Sequence, residues 1–241
     1  MSMRIGIIVS VIVGALMSLI IMNPQPVAAE TQSGGNSIVV QSIPGPTVIE
    51  KIAQRTEVSW PWYVTRASGI IAMGALIVLI LSGIGFVTGH SFKFLEPLTA
   101  WASHRALGIT FGVAILVHMF TLLFDHFVSF SILDLFVPWL STYHPVTIAG
   151  IQFGSLFVAL GVLAFYCVAL IIITSLVWVE KKPKLWKFTH LISYLVLVFV
   201  FVHALFIGTD FADGIPRLLL IVAGFALAIA ILLRLRRART I

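Results

Sequence analysis

The sequence predicts an all-α integral membrane protein, a bundle of six transmembrane helices, or five if its first apolar segment is a cleaved signal peptide. Three observations predict it. Of the 241 residues, 60% are hydrophobic and the mean hydropathy is +1.11. Only 10% are charged, against about 25% in a soluble domain. Six apolar stretches reach or approach the roughly 20 residues that a helix needs to cross the hydrocarbon of a bilayer.

The stretches run over residues 5–21, 64–87, 106–124, 154–179, 191–206 and 218–233. Gly89, Pro97, Pro138, Pro145, Pro183 and Pro216 mark the breaks. Residues 1–29 form either a retained transmembrane helix or a secretory signal: Arg4 precedes an apolar run, and Val27-Ala28-Ala29 supplies small residues at a cleavage point. Residues 30–60 are polar and rich in Ser, Gly and Pro, and read as an extended extracytoplasmic linker. Residues 61–241 form the main membrane domain.

Charge orients the chain. With the C-terminus in the cytoplasm, the inner side receives Arg4, Lys93, Arg105, Lys181, Lys182, Lys184, Lys187, Arg234, Arg236, Arg237 and Arg239. The outer side receives only Lys51, Arg55, Arg66 and Arg217. Eleven of the fifteen basic residues inside satisfy the positive-inside rule, and predict a multi-pass protein of the inner (cell) membrane. The net charge of +6 therefore reflects topology and lipid contact, and no nucleic-acid partner is expected. Asp125, Asp134, Asp210 and Asp213 fall outside, and Trp60, Trp62, Tyr63, Trp101, Trp139 and Trp186 fall near the expected interfaces. The lone Cys167 excludes a disulfide framework and any iron–sulfur or Cys-based metal site.

Four of the seven histidines lie in or at the mouth of two spans. A lone intramembrane His is ordinarily hydrogen-bonded to a neighbouring helix; four at these spacings carry more. His104 and His118 are 14 residues apart, about 21 Å of helical rise and within about 40° of one face. His190 and His203 are 13 apart, about 19.5 Å. The third and fifth spans run parallel, so His104 faces His190 at one depth and His118 faces His203 at the other. Each pair can clamp one planar macrocycle through two imidazole nitrogens. The 13-residue interval leaves His203 about 140° from His190 on a straight helix; a π-bulge, a kink or an asymmetric haem placement would reconcile it. A metal or proton pathway competes with this reading, but the interiors of the two spans carry no acid to share such a role.

His104-Arg105-Ala-Leu-Gly108 with His118, and Trp186-Lys-Phe-Thr-His190 with His203, resemble the ferric-reductase-like transmembrane family. That family includes ferric reductases, the membrane domains of NADPH oxidases and bacterial haem-only members. The resemblance spans roughly residues 62–210. It implies two b-type haems whose iron is ligated axially by His104, His118, His190 and His203. It also makes Arg66 a candidate partner of the haem propionates, against a reading as an interfacial snorkelling Arg; Arg105 and Lys187 are the counterparts at the inner haem. Gly83, Gly108 and Gly112 either admit a ring close to the backbone or serve helix packing. Leu122 stands where oxidase members carry a further His, which weakens an oxygen-reducing assignment.

No Gly-rich dinucleotide fingerprint is present, so no flavin or NAD(P) site is expected in this chain. The resemblance thus implies an oxidoreductase component that draws electrons from a cytoplasmic flavoprotein or quinol and passes them to an extracytoplasmic acceptor. The acceptor would be a metal ion, at a surface carrying Asp125, His126 and His144, or a protein. An alternative is the haem subunit of a dedicated reductase complex of the methionine sulfoxide reductase type. An alternative of another class is a haem-free transporter or scaffold.

Overall fold

The computed structural model describes residues 48–148 and 150–237. The chain divides into two units, Met1–Val58 and Ser59–Ile241. The first apolar stretch, and with it the choice between anchor and signal peptide, lies outside the described residues. So does most of the expected linker.

Within the described residues the chain is almost wholly helical. In chain order come α1 (Val48–Thr88), α2 (Pro97–Leu122), the short α3 (Ile132–Phe136), a two-residue hairpin of β1 (Thr147–Ile148) and β2 (Ile151–Gln152), α4 (Leu156–Trp178), α5 (Pro183–His190), α6 (Ser193–Ile207) and α7 (Gly214–Arg237). Five helical stretches are long and apolar enough to cross a membrane: Ser59–Thr88, Pro97–Leu122, Leu156–Trp178, Pro183–Ile207 and Gly214–Arg236. They make this a multi-pass membrane protein.

Residues 48–60, expected to be extended linker, are helical instead. Neither Gly nor Pro interrupts residues 47–60, and Val48, Ile49, Ile52 and Ala53 recur at helical spacing. The second and fourth long spans also start earlier than the apolar runs suggest. Pro97 and Pro183 occupy first-turn positions, where the missing N–H costs nothing. This places His104 and His190 within helices rather than ahead of them. Gly89, at φ 74°, closes α1 in the left-handed conformation that favours glycine.

Small residues let the helices approach. Ala72, Ala75 and Ala114 sit in the buried cluster with Leu76, Phe111 and Val196. Outward, large apolar side chains such as Leu116, Phe120, Leu176 and Leu218 are exposed. Exposure on this scale has its natural solvent in lipid. Polar bonds tie the helix ends. Thr65 and Thr121 hydroxyls meet at 2.7 Å. Arg217 donates to the carbonyls of Leu205, Phe211 and Ala212, satisfying acceptors freed where α6 ends.

The two ends of the bundle differ in charge. Lys93, Arg105, Lys181, Lys182, Lys184, Lys187, Arg234 and Arg236 gather at one, the basic face. Asp125, Asp134, Asp210 and Asp213, with Arg66 and Arg217, lie toward the other, the acidic face.

Candidate functional site

The four histidines meet as two pairs. The rings of His104 on α2 and His190 on α5 have centres 6.3 Å apart, with 47° between their planes. Those of His118 on α2 and His203 on α6 are 6.4 Å apart at 79°. Two imidazoles bound on opposite sides of one metal ion, with metal–nitrogen bonds of about 2.0 Å, have ring centres roughly 6 Å apart. Contact at both depths also requires α2 to run parallel to the α5–α6 stretch.

The angular problem of the 13-residue interval is eased at Leu191–Ile192, where the helix breaks between α5 and α6. Around the break, Ile192, Tyr194 and Leu195 donate to carbonyls three residues back. Residues wound this way advance about 120° and 2.0 Å each, against 100° and 1.5 Å in an α-helix. The tight turn carries His203 forward, toward the face used by His190. The remedy is a kink by overwinding, and no π-helix occurs among the described residues.

Neighbouring helices engage the other nitrogen of three rings. His118 Nδ1 donates to the Thr65 carbonyl and His203 Nδ1 to the Phe157 carbonyl, both at 2.9 Å. A carbonyl only accepts, so Nδ1 carries a proton, and in the neutral ring Nε2 then keeps its lone pair. His104 Nδ1 lies 2.7 Å from Ser82 Oγ. Ser82 gives its own proton to the Leu79 carbonyl at 2.9 Å, so its oxygen is the acceptor for His104. His190 Nδ1 is buried and has no partner among the described residues. Bonds of this kind fix the ring and tautomer of metal-ligating histidines.

Glycines open the space behind the rings. A Cβ on Gly161 would stand 2.6 Å from His203 Nδ1, and one on Gly69 would stand 3.3 Å from His118 Nδ1. Gly83 would bring a Cβ to 3.9 Å from His104 Cε1. A Cβ on Gly108 would meet nothing within 4 Å, so open space lies beside it one turn from His104, while one on Gly112 would meet Ile172 at 3.3 Å, the packing role of a small residue.

A largely apolar cavity adjoins the acidic-face pair, lined by His118, His203, Trp62, Phe111, Phe165 and Val200 among others. Arg66 and Asp210 stand in its wall. Arg66 Nε donates to both Asp210 carboxylate oxygens at 2.9 Å, and its Nη2 also bonds that carboxylate. The guanidinium lies 4.0 Å from the centre of the Trp62 ring. Arg105 is exposed on the basic face and makes no hydrogen bond or ion pair among the described residues.

Asp125 and His126 share a shallow pocket with Trp60 and Ser129, which His144 does not line. Asp125 is buried and accepts from the Phe127 amide at 2.8 Å, so it closes a turn. Burial, with the Asp125 carboxylate, pushes the nearby Tyr143 phenol up from its ordinary value. Among the described residues no three His, Cys, Asp or Glu side chains come together as a metal site.

Sequence reasoning missed Ser82, Gly69, Gly161 and Asp210. Ser82 had a signal, a polar side chain alone in an apolar run. Comparison with known proteins yields no matching family model, no matching curated protein and no matching solved structure.

Proposed function

We propose that this protein carries electrons across a membrane through two b-type haems, one held by His104 and His190 and one by His118 and His203. The observation that carries the reading is the pair of facing imidazoles at 6.3 and 6.4 Å. Among the described residues each pair offers two ligands and no third. A bare divalent ion seeks four to six, whereas a macrocycle brings four of its own.

The surroundings fit such a group. Bonds to Thr65, Phe157 and Ser82 fix the orientation of His118, His203 and His104 and the neutral tautomer that leaves Nε2 available. Gly69 and Gly161 give the acidic-face rings room. Arg66 supplies the cation near that cavity, where a propionate would compete with Asp210 for it. Haem b, when bound, supplies a reversible one-electron iron couple. Held by two histidines, such a group would have no position left for a small ligand, so its chemistry would be electron transfer.

In this reading the basic face is cytoplasmic and the membrane is the inner (cell) membrane. Lys181, Lys182, Lys184 and Lys187 meet a separate donor, a flavoprotein or quinol, and the acceptor is reduced at the acidic face. Protein purified from membranes is expected to carry two haems per chain, with a reduced-minus-oxidised b-type spectrum. His104→Ala and His203→Ala are each expected to lower the count to one, with loss of different spectral components. Absence of haem, or spectra unchanged by both substitutions, would sink the proposal.

A further inference from the structure

The 33 residues between α2 and α4, residues 123–155, read as an extramembrane loop in the sequence. Their middle part does not stay outside. Tyr166 Oη donates to the Phe136 carbonyl at 2.7 Å. Tyr166 lies ten residues into α4, about 15 Å along the axis from Leu156. Its side chain leans back toward the helix start by roughly 6 Å. Allowing for the hydrogen bond itself, the Phe136 carbonyl sits at least roughly 6 Å below the level of Leu156. A ring contact agrees: Phe136 and Phe165, one residue from Tyr166, have centres 5.9 Å apart.

That level is inside the hydrocarbon. α4 has 23 residues and none is charged. Its length of about 34 Å exceeds a hydrocarbon layer of about 30 Å by only a few ångström. The chain then returns quickly. The Trp139 carbonyl stands 3.9 Å from where a Cβ of Gly154 would be, just ahead of α4. Ser155 Oγ donates to the carbonyls of Ser141 (2.5 Å) and Tyr143 (2.7 Å), so these too are at the surface.

We infer that residues 131–140 form a wedge inserted into the leaflet on the acidic face, and that its partner is the acyl chains of the surrounding bilayer. Ile132, Leu133, Phe136, Val137 and Trp139 are exposed on it, and Tyr166 of α4, bonded to Phe136, is exposed beside them. In water such a patch would be a liability; against lipid it is the expected surface. Several of its backbone groups are bonded within the protein, as lipid demands. Ser131 and Asp134 form a reciprocal capping box at the start of α3. Val137 N donates to the Leu133 carbonyl at 2.8 Å, and the Phe136 carbonyl takes the Tyr166 hydroxyl. Trp139 sits where the chain re-emerges, a place its amphipathic ring suits. On the other side of the wedge, buried Leu135 faces the cavity beside His118 and His203. Nothing in this placement depends on what the histidines hold.

The test uses the full chain in native membrane vesicles, with Cys167→Ser as background. Leu133→Cys, Val137→Cys and, as a same-face control, His126→Cys are labelled with a charged, water-soluble maleimide. Cysteines at 133 and 137 are expected to react at least tenfold more slowly than the one at 126, and at equal rates in denaturing detergent. Nitroxides at 133 and 137 are expected to favour oxygen over a water-soluble nickel chelate as relaxant. Labelling at 133 and 137 as fast as at 126, or relaxation dominated by nickel, would place the segment in water and overturn the inference.

Discussion

The two histidine pairs are built from the same residues at nearly the same spacing, yet their supports differ. At the acidic face both Nδ1 atoms donate to backbone carbonyls, of Thr65 and Phe157, and a glycine lies behind each ring. At the basic face one Nδ1 relies on a side chain, Ser82, and the other has no partner among the described residues. Aromatic flanks replace the close glycines there: Phe86 lies 5.3 Å from His104 and Trp186 lies 5.2 Å from His190, centre to centre. A backbone acceptor cannot be mutated away or rotated, whereas a hydroxyl can do both. One pair is fixed by the fold itself, the other by replaceable side chains.

Glycine substitutions should separate the pairs most strongly. Gly161→Ala forces a Cβ against the His203 ring and is expected to cost about 1–3 kcal/mol of stability, as overpacking does. It should also loosen whatever the acidic-face pair holds. Gly83→Ala, whose Cβ would sit at 3.9 Å, should be nearly silent. Thermal unfolding and haem content of the two variants, compared side by side, check this; equal effects would erase the contrast.

Ser82→Ala acts on the basic-face pair alone. Loss of a ligand's supporting bond typically weakens metal affinity by about 10–100-fold. On the proposed function, haem retention at the basic-face pair is expected to fall within that range, with the acidic-face spectrum unchanged. A smaller effect should follow from Asp210→Asn, which breaks the pair with Arg66. Both side chains are partly exposed, so stability should drop by about 1 kcal/mol or less. Urea denaturation of the purified protein measures it, and a loss of several kcal/mol would mean that the ion pair holds the acidic end of the bundle together.

Much of this was legible in the chain. Composition and basic-residue placement indicated a helical membrane protein, and the spacing within His104–His118 and His190–His203 indicated which rings face each other. The tight turn was not legible, because His190-Leu-Ile-Ser193 contains no Gly or Pro to mark it. Gly69 and Gly161 look like any packing glycine until the opposing helix is in place. Arg66 and Asp210 are 144 residues apart, and only tertiary structure joins them. The wedge escaped notice because Ile132-Leu-Asp-Leu-Phe136 is far too short to register as a span. Its depth is set by Tyr166, a residue on another element.

The turn at Leu191–Ile192 has a consequence for how chain length tolerates change. Thirteen residues with three tightly wound ones match the rise of fourteen in plain α-helix and recover about 60° of the missing 100° of rotation. A one-residue insertion at the turn can therefore relax it to regular helix and leave His203 opposite His118. The same insertion at Val198 would swing His203 by about 100° and separate the pair. Intervals of 13 and 14 thus lie closer together mechanically at that joint than in regular helix, and a change in length is better absorbed there than at Val198.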